Sequence, residues 1–181
     1  MYVTDYFSVF PERTKDEIRT MRFVDESSNG STIPDGLYVV REFYCTDLSC
    51  NCQRVMLRVK RVVDEIRGTM TDVATVCFTW RRRGIDPVWD KIDAETGKLY
   101  LDPFQPRSSY AEELFSFVEH MLRIDTAYVT RLKRHYDEIR ANMGKCERNK
   151  FELGINESQA GASQPMTRRG RQRLLKRKLR K

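Results

Sequence analysis

A chain of 181 residues, 40% hydrophobic and 33% charged, fits one ordinary domain with an appendage and holds enough apolar side chains for a core. Its net charge of +7 suggests a nucleic-acid surface, but nine of the 33 basic residues lie in residues 165–181, which hold no acidic one. The other 24 face 26 acidic residues, so the body is near −2 and a basic patch on it is not implied.

No apolar run approaches the ~20 residues that span a bilayer, and the N-terminal stretch lacks the basic and apolar regions of a secretory signal, so the protein is expected to be cytoplasmic. Thiols stay reduced there. Five cysteines (Cys45, Cys50, Cys52, Cys77 and Cys146), an odd count, therefore point to metal, catalysis or burial before disulfides.

In chain order, residues 2–10 alternate aromatic and polar types, and Pro11 to Glu17 resembles the first turns of a short helix. Met21 to Asp25 is a candidate first strand, and Glu26 to Ser31 has the composition of an exposed loop. After the turn signal Pro34-Asp35-Gly36, Leu37 to Tyr44 is rich in β-branched and aromatic residues and should be a strand ending at Cys45. From Gln53 to Val63, Val55, Leu57 and Val59 alternate with Arg54, Met56, Arg58 and Lys60, the pattern of a half-exposed strand. Val73 to Trp80 is short and apolar, as a central strand is. Lys98 to Leu101, followed by Pro103 and Pro106, reads as an edge strand, whereas Trp89 and Asp93 to Gly97 fall in a turn.

Ser109 and Glu112 have capping-box spacing ahead of a helix with Ala111, Leu114, Phe115, Val118, Met121 and Leu122 on one face. Asp125 should cap a second helix whose stripe is Tyr128, Leu132, Tyr136, Ile139 and Met143, with Gly144 as its stop. The expected fold is α+β: an antiparallel β-sheet with a cysteine knuckle at a hairpin tip, packed by two C-terminal α-helices. Residues 1–143 would be this domain, 144–164 a flexible linker, and 165–181 a basic tail, disordered or induced to form a helix.

Cys45, Cys50 and Cys52 fall within eight residues, separated by the turn formers Thr46, Asp47, Ser49 and Asn51. Structural zinc takes four ligands in a tetrahedron, mainly thiolates and imidazoles, and soft thiolates select it. Three ligands are supplied here. For the fourth, Asp47 lies in the loop, Cys77 on a neighbouring strand, and His120 and His135 on the helices. Two other readings of the knuckle are a packed turn of reduced cysteines and a redox or nucleophilic thiol, with Cys52 as the reactive candidate. His135 reads as a helix-packing histidine, Cys77 as a buried small hydrophobe and Cys146 as exposed. The adjacent carboxylates Glu112 and Glu113, or Asp137 and Glu138, diverge around a helix and form a solvated face. No phosphate-cradling glycine loop is present in the sequence.

The tail carries Arg168, Arg169, Arg171, Arg173, Lys176, Arg177, Lys178, Arg180 and Lys181, and no aromatic residue. It suits salt-sensitive contact with nucleic acid, ribosome or an acidic protein, without base stacking, or serves only as a solubilising end.

Phe43 to Val55, together with Leu101-Asp102-Pro103 and Asp125 to Tyr136, resembles a family of uncharacterised bacterial proteins. That family shares a YCxDxxCxCxRV motif and often carries a C-terminal SEC-C metal-binding motif, similar to the zinc-binding end of a protein-translocase motor. The resemblance implies a metal-associated domain without an assigned activity, with Cys45, Asp47, Cys50 and Cys52 as the positions carried over. The SEC-C motif is absent here, since no cysteine follows Cys146 and the basic tail stands in its place. The expected function is a structural zinc domain serving as a binding or adaptor module; its rival is a metal- or thiol-dependent enzyme using the same cluster.

Overall fold

A computed structural model describes residues 3–24, 31–81, 84 and 98–152, the last seven by backbone alone. Residues 1–144 form one compact unit and 145–181 another. The first unit is an α+β fold, as the alternation and helical stripes predict. Its strands are β1 (Val3–Asp5), β2 (Arg19–Phe23), β3 (Gly36–Cys45), β4 (Arg54–Asp64), β5 (Thr69–Thr79) and β6 (Leu99–Leu101). All pair antiparallel in one sheet, in the order β3, β4, β5, β6, while β1 and β2 share the outer side of β3. β2 covers Gly36 to Val40 of β3, and β1 covers Phe43 to Cys45.

Two short helices, α1 (Tyr6–Val9) and α2 (Thr14–Glu17), flank a 3-10 turn (Pro11–Arg13) in the excursion between β1 and β2. Two longer helices follow the sheet, α3 (Ala111–Ile124) and α4 (Thr126–Glu152), separated by Asp125 alone.

The period-2 register decides which side chains meet the helices. Tyr38, Val40, Glu42 and Tyr44 of β3, Val55, Leu57 and Val59 of β4, and Ala74 and Val76 of β5 are buried on one face. Against them pack Ala111, Leu114, Val118 and Leu122 of α3, and Tyr128, Leu132, Tyr136 and Ile139 of α4. Each such Val, Leu or Ile contributes about 1.5–3 kcal/mol on burial. The opposite face carries Phe43, Cys45, Arg54, Met56, Arg58, Cys77 and Tyr100.

Three local expectations are corrected. Within the alternating stretch, residues 3–9 are a three-residue strand and a helical turn, because the Asp5 carboxylate accepts from the Phe7 N–H at 3.2 Å and the Ser8 hydroxyl at 3.1 Å. That turn buries both Tyr6 and Phe7, which strict alternation would have sent to opposite faces. The capping box is not formed: Tyr110 holds the N-cap of α3 without a side-chain bond, and Glu112 faces Arg107 at 3.6 Å instead. Gly144 does not stop α4, which continues to Glu152; glycine weakens a helix but does not break it unless the next residues also turn.

Asp125 does cap α4, accepting from the Tyr128 N–H at 2.8 Å. The expected loop at 26–30, the turn at Trp89 and Asp93 to Gly97, the linker beyond 152, the basic tail and the Cys146 side chain lie outside the described residues.

Candidate metal centre

The β3–β4 hairpin carries the cysteines at its tip. Tyr44 pairs with Val55 in the last register position, so the loop from Thr46 to Gln53 starts one residue after Tyr44's neighbour Cys45 and closes just before Arg54. Inside it, the Asp47 carboxylate accepts from the Ser49 N–H at 2.9 Å and hydroxyl at 2.6 Å, and the Asp47 carbonyl accepts from the Cys50 N–H at 3.2 Å. These bonds curl the loop back on itself, the usual behaviour of an aspartate in a turn. Gln53 then takes a left-handed φ of 43°, reversing the chain into β4.

The result is a cluster. The sulfurs of Cys45, Cys50 and Cys52 all lie within 4.8 Å of one another. All three are free thiols, with Cys45 and Cys52 buried and Cys50 half-buried. A tetrahedral zinc with bonds of ~2.3 Å separates its sulfurs by ~3.8 Å, so closing the trio on an ion requires shifts of about 1 Å or less. The residues present fit a thiophilic metal.

Burial pushes the Cys52 thiol up to about 12, with the neighbouring Cys45 and Cys50 adding to it, and burial also lifts Cys45. Without a metal these two sulfurs hold their protons at neutral pH. A divalent ion supplies the positive charge that makes the thiolates stable.

The other sequence candidates are placed elsewhere. Asp47 is exposed and outside the group; its bonds to Ser49 hold its carboxyl below the ordinary range. Cys77 sits opposite Met56 on β5, where burial raises its thiol to about 11, and does not join the trio. His120 is exposed on α3, within 3.4 Å of Arg123. His135 is fully buried, and both ring nitrogens are taken: Nδ1 lies 2.6 Å from Glu42 and Nε2 lies 2.8 Å from Glu17. Among the described residues, no other Cys, His, Asp or Glu side chain joins the three thiols.

Sequence reasoning missed two features beside the knuckle. Arg140 of α4 donates to three loop carbonyls, those of Asp47 at 2.6 Å, Leu48 at 2.7 Å and Cys50 at 2.9 Å. It fixes the backbone on which the cysteines hang and brings a positive charge to a site where three thiolates and a divalent ion would sum to −1. Its signal was faint: Arg140 flanks the apolar stripe one residue after Ile139.

The second feature is a buried network centred on His135. Glu42 also accepts from the Tyr44 hydroxyl at 2.8 Å, Tyr6 stacks on the His135 ring at 3.6 Å, and Arg134 pairs with Glu17. Burial opposes the charge on Glu17, but its bonds from Arg134 and His135 hold that carboxyl below its ordinary value. Both ring nitrogens thus face carboxylate oxygens, and Nε2 also lies 3.2 Å from the Arg134 guanidinium, so the buried ring is held on both sides by charged neighbours. A charged residue at the core parity of β3, Glu42, together with a histidine in an apolar stripe was the readable hint.

A small hollow lies against Cys45 and Cys52 on the side away from the helices, lined also by Val3, Phe43, Arg54 and Met56. It has room for little more than one water-sized group. Fold and site together define an α+β protein with a three-thiol knuckle able to hold a metal ion. Comparison with family models, curated proteins and solved structures returns no match. No helix among the described residues is long and apolar enough to cross a membrane.

Proposed function

We propose that this chain is a zinc-binding module in which the ion, gripped by Cys45, Cys50 and Cys52, pins the β3–β4 tip and presents a fixed surface to a partner. The single observation behind this reading is the convergence of three sulfurs within 4.8 Å of one another from one short loop. Free thiols without such a role rarely gather so closely, and thiolate donors favour zinc. The metal stabilises the hairpin tip, as bound ions do in small domains. Kinship with the bacterial family sharing the YCxDxxCxCxRV motif is proposed on the same residues, Tyr44 to Val55.

In this reading the basic tail contacts a polyanion: nucleic acid, the ribosome or an acidic protein surface. Its nine cations, Arg168 to Lys181, sit in residues without an acidic partner, which supports an electrostatic, salt-sensitive contact. Function is then binding or adaptation, in a cytoplasmic setting where the thiols remain reduced.

A metal- or thiol-dependent enzyme is the second reading. What favours it is the ligand number, since three protein donors are typical of catalytic zinc. Against it stands the hollow, which, apart from the cluster thiols Cys45 and Cys52, holds no carboxylate or imidazole among its described lining residues. Titrating the reduced, metal-free protein with zinc against a chromophoric chelator tests the first reading. One equivalent should bind and raise thermal stability, and serine at Cys45, Cys50 and Cys52 should abolish both effects. Binding without a stability gain would remove the structural role and leave the enzyme reading ahead.

A further inference from the structure

We propose that Cys45, Cys50 and Cys52 also act together as an acceptor for a trivalent arsenic or antimony hydroxide, holding the central atom through three sulfur bonds. Such a site goes beyond the zinc reading and shares with it only the convergence of the three sulfurs, which lie within 4.8 Å of one another.

Donor number favours this ligand. Zinc asks for four ligands in a tetrahedron, and among the described residues no fourth Cys, His, Asp or Glu joins the trio. A trivalent arsenic atom asks for three, because a lone pair fills its remaining corner. Its preferred donors are soft thiolates, and the cluster offers nothing else.

Charge and shape act in the same direction. Three thiolates around a divalent ion would sum to −1, at a site where Cys45 is 5% exposed and Cys52 2%. Around a trivalent centre they sum to zero, and burial favours the uncharged product. The loop is also held ready for three bonds: the Asp47 carboxylate and carbonyl accept from the Ser49 and Cys50 N–H groups, and Arg140 donates to the carbonyls of Asp47, Leu48 and Cys50. On a backbone fixed in this way, each sulfur bond formed raises the effective concentration of the next thiol.

The exchange balances without an oxidant or a reductant. The Cys50 sulfur, half-buried and so the first to be reached, bonds to arsenic as one arsenic–oxygen bond breaks, and the thiol proton leaves with the hydroxide as water. Cys45 and Cys52 repeat the step. Three thiols and one As(OH)3 thus give one tristhiolate and three waters, with arsenic trivalent throughout. Only one heavy atom stays in the site. It joins Cys45, at the end of β3, to Cys52, just before β4, and so clamps the loop at both ends.

The test titrates the reduced, metal-free full chain with sodium arsenite and, in parallel, with zinc against a chromophoric chelator. Arsenite should bind at one equivalent with a sulfur-to-arsenic absorption in the ultraviolet and raise the thermal unfolding temperature. Native mass spectrometry should find an adduct of one arsenic that has displaced three hydrogens and retains no oxygen. A variant carrying Cys77→Ser and Cys146→Ser should behave identically. Cys50→Ser, which leaves two thiols, should weaken arsenite about a hundredfold and keep one oxygen on the adduct. Oxygen retained on arsenic in the natural chain would overturn the three-bond site, as would loss of binding in the Cys77 and Cys146 variant. Zinc uptake without arsenite uptake would overturn this inference and leave the zinc reading standing, whereas arsenite uptake without zinc uptake would do the reverse.

Discussion

At Cys52, burial and two neighbouring thiols act in the same direction on the proton. Its folded-state value is raised from about 9 to about 12, so the metal-free folded chain holds that proton more tightly than the unfolded chain does. The sign follows from linkage: the stabilising contribution is fully present below pH 9 and is lost as pH rises from 9 toward 12. Denaturant titrations of the metal-free protein should therefore show stability falling across that window, and Cys52→Ser should flatten the fall. Metal reverses the preference, because the bound species is the thiolate. Loading zinc at neutral pH should release about two or more protons per ion, measurable by calorimetry in buffers of different ionisation enthalpy. His135 poses a different problem. Glu42 and His135 are both 0% exposed and 2.6 Å apart, so removing the ring leaves a buried carboxylate with only the Tyr44 hydroxyl. His135→Ala should cost about 3–5 kcal/mol in urea unfolding. In Glu42→Gln the same substitution should cost clearly less, because no buried charge is then stranded. Equal costs in both backgrounds would remove the ion pair from the account.

Among the elements, α4 does the most to join the site to the fold. One face packs Tyr128, Leu132, Tyr136 and Ile139 into the core, and Arg140, at the edge of that face, reaches the knuckle carbonyls. Arg140→Ala should lower stability by about 2 kcal/mol and weaken zinc binding roughly ten- to hundredfold. Arg140→Lys should recover only part, since an ammonium lacks the planar fork that serves several carbonyls at once. Thermal unfolding and chelator competition read the two effects separately. The strands and the apolar stripes were legible because local period and burial coincide in them: Val55, Leu57 and Val59 alternate as the half-exposed strand requires, and all are buried. The cysteine loop was legible from spacing and turn chemistry. What stayed hidden depends on partners far apart in sequence. Glu17, Glu42 and His135 come from α2, β3 and α4, and nothing local to any of them names the other two. Glu112 likewise has the spacing of a capping residue, yet faces Arg107, while the predicted stop at Gly144 fails because one glycine cannot turn a helix whose following residues remain helical.

For the whole molecule, charge is segregated along the sequence: a body near −2 and a tail with nine cations. If the tail is the polyanion contact, truncation after residue 164 should abolish binding to a generic single-stranded RNA and leave zinc content and thermal stability unchanged. Binding by the intact chain should fall steeply with salt, in proportion to the phosphates neutralised. RNA binding that survives truncation would move the contact to the body. The metal claim has a more direct test, elemental analysis of protein purified without a metal-affinity tag or chelator, beside a variant with serine at Cys45, Cys50 and Cys52. The account predicts about one equivalent of zinc per chain in the natural sequence and none in the variant. Folded, reduced protein that carries no metal would contradict it and leave the three thiols as a packed turn or a redox cluster.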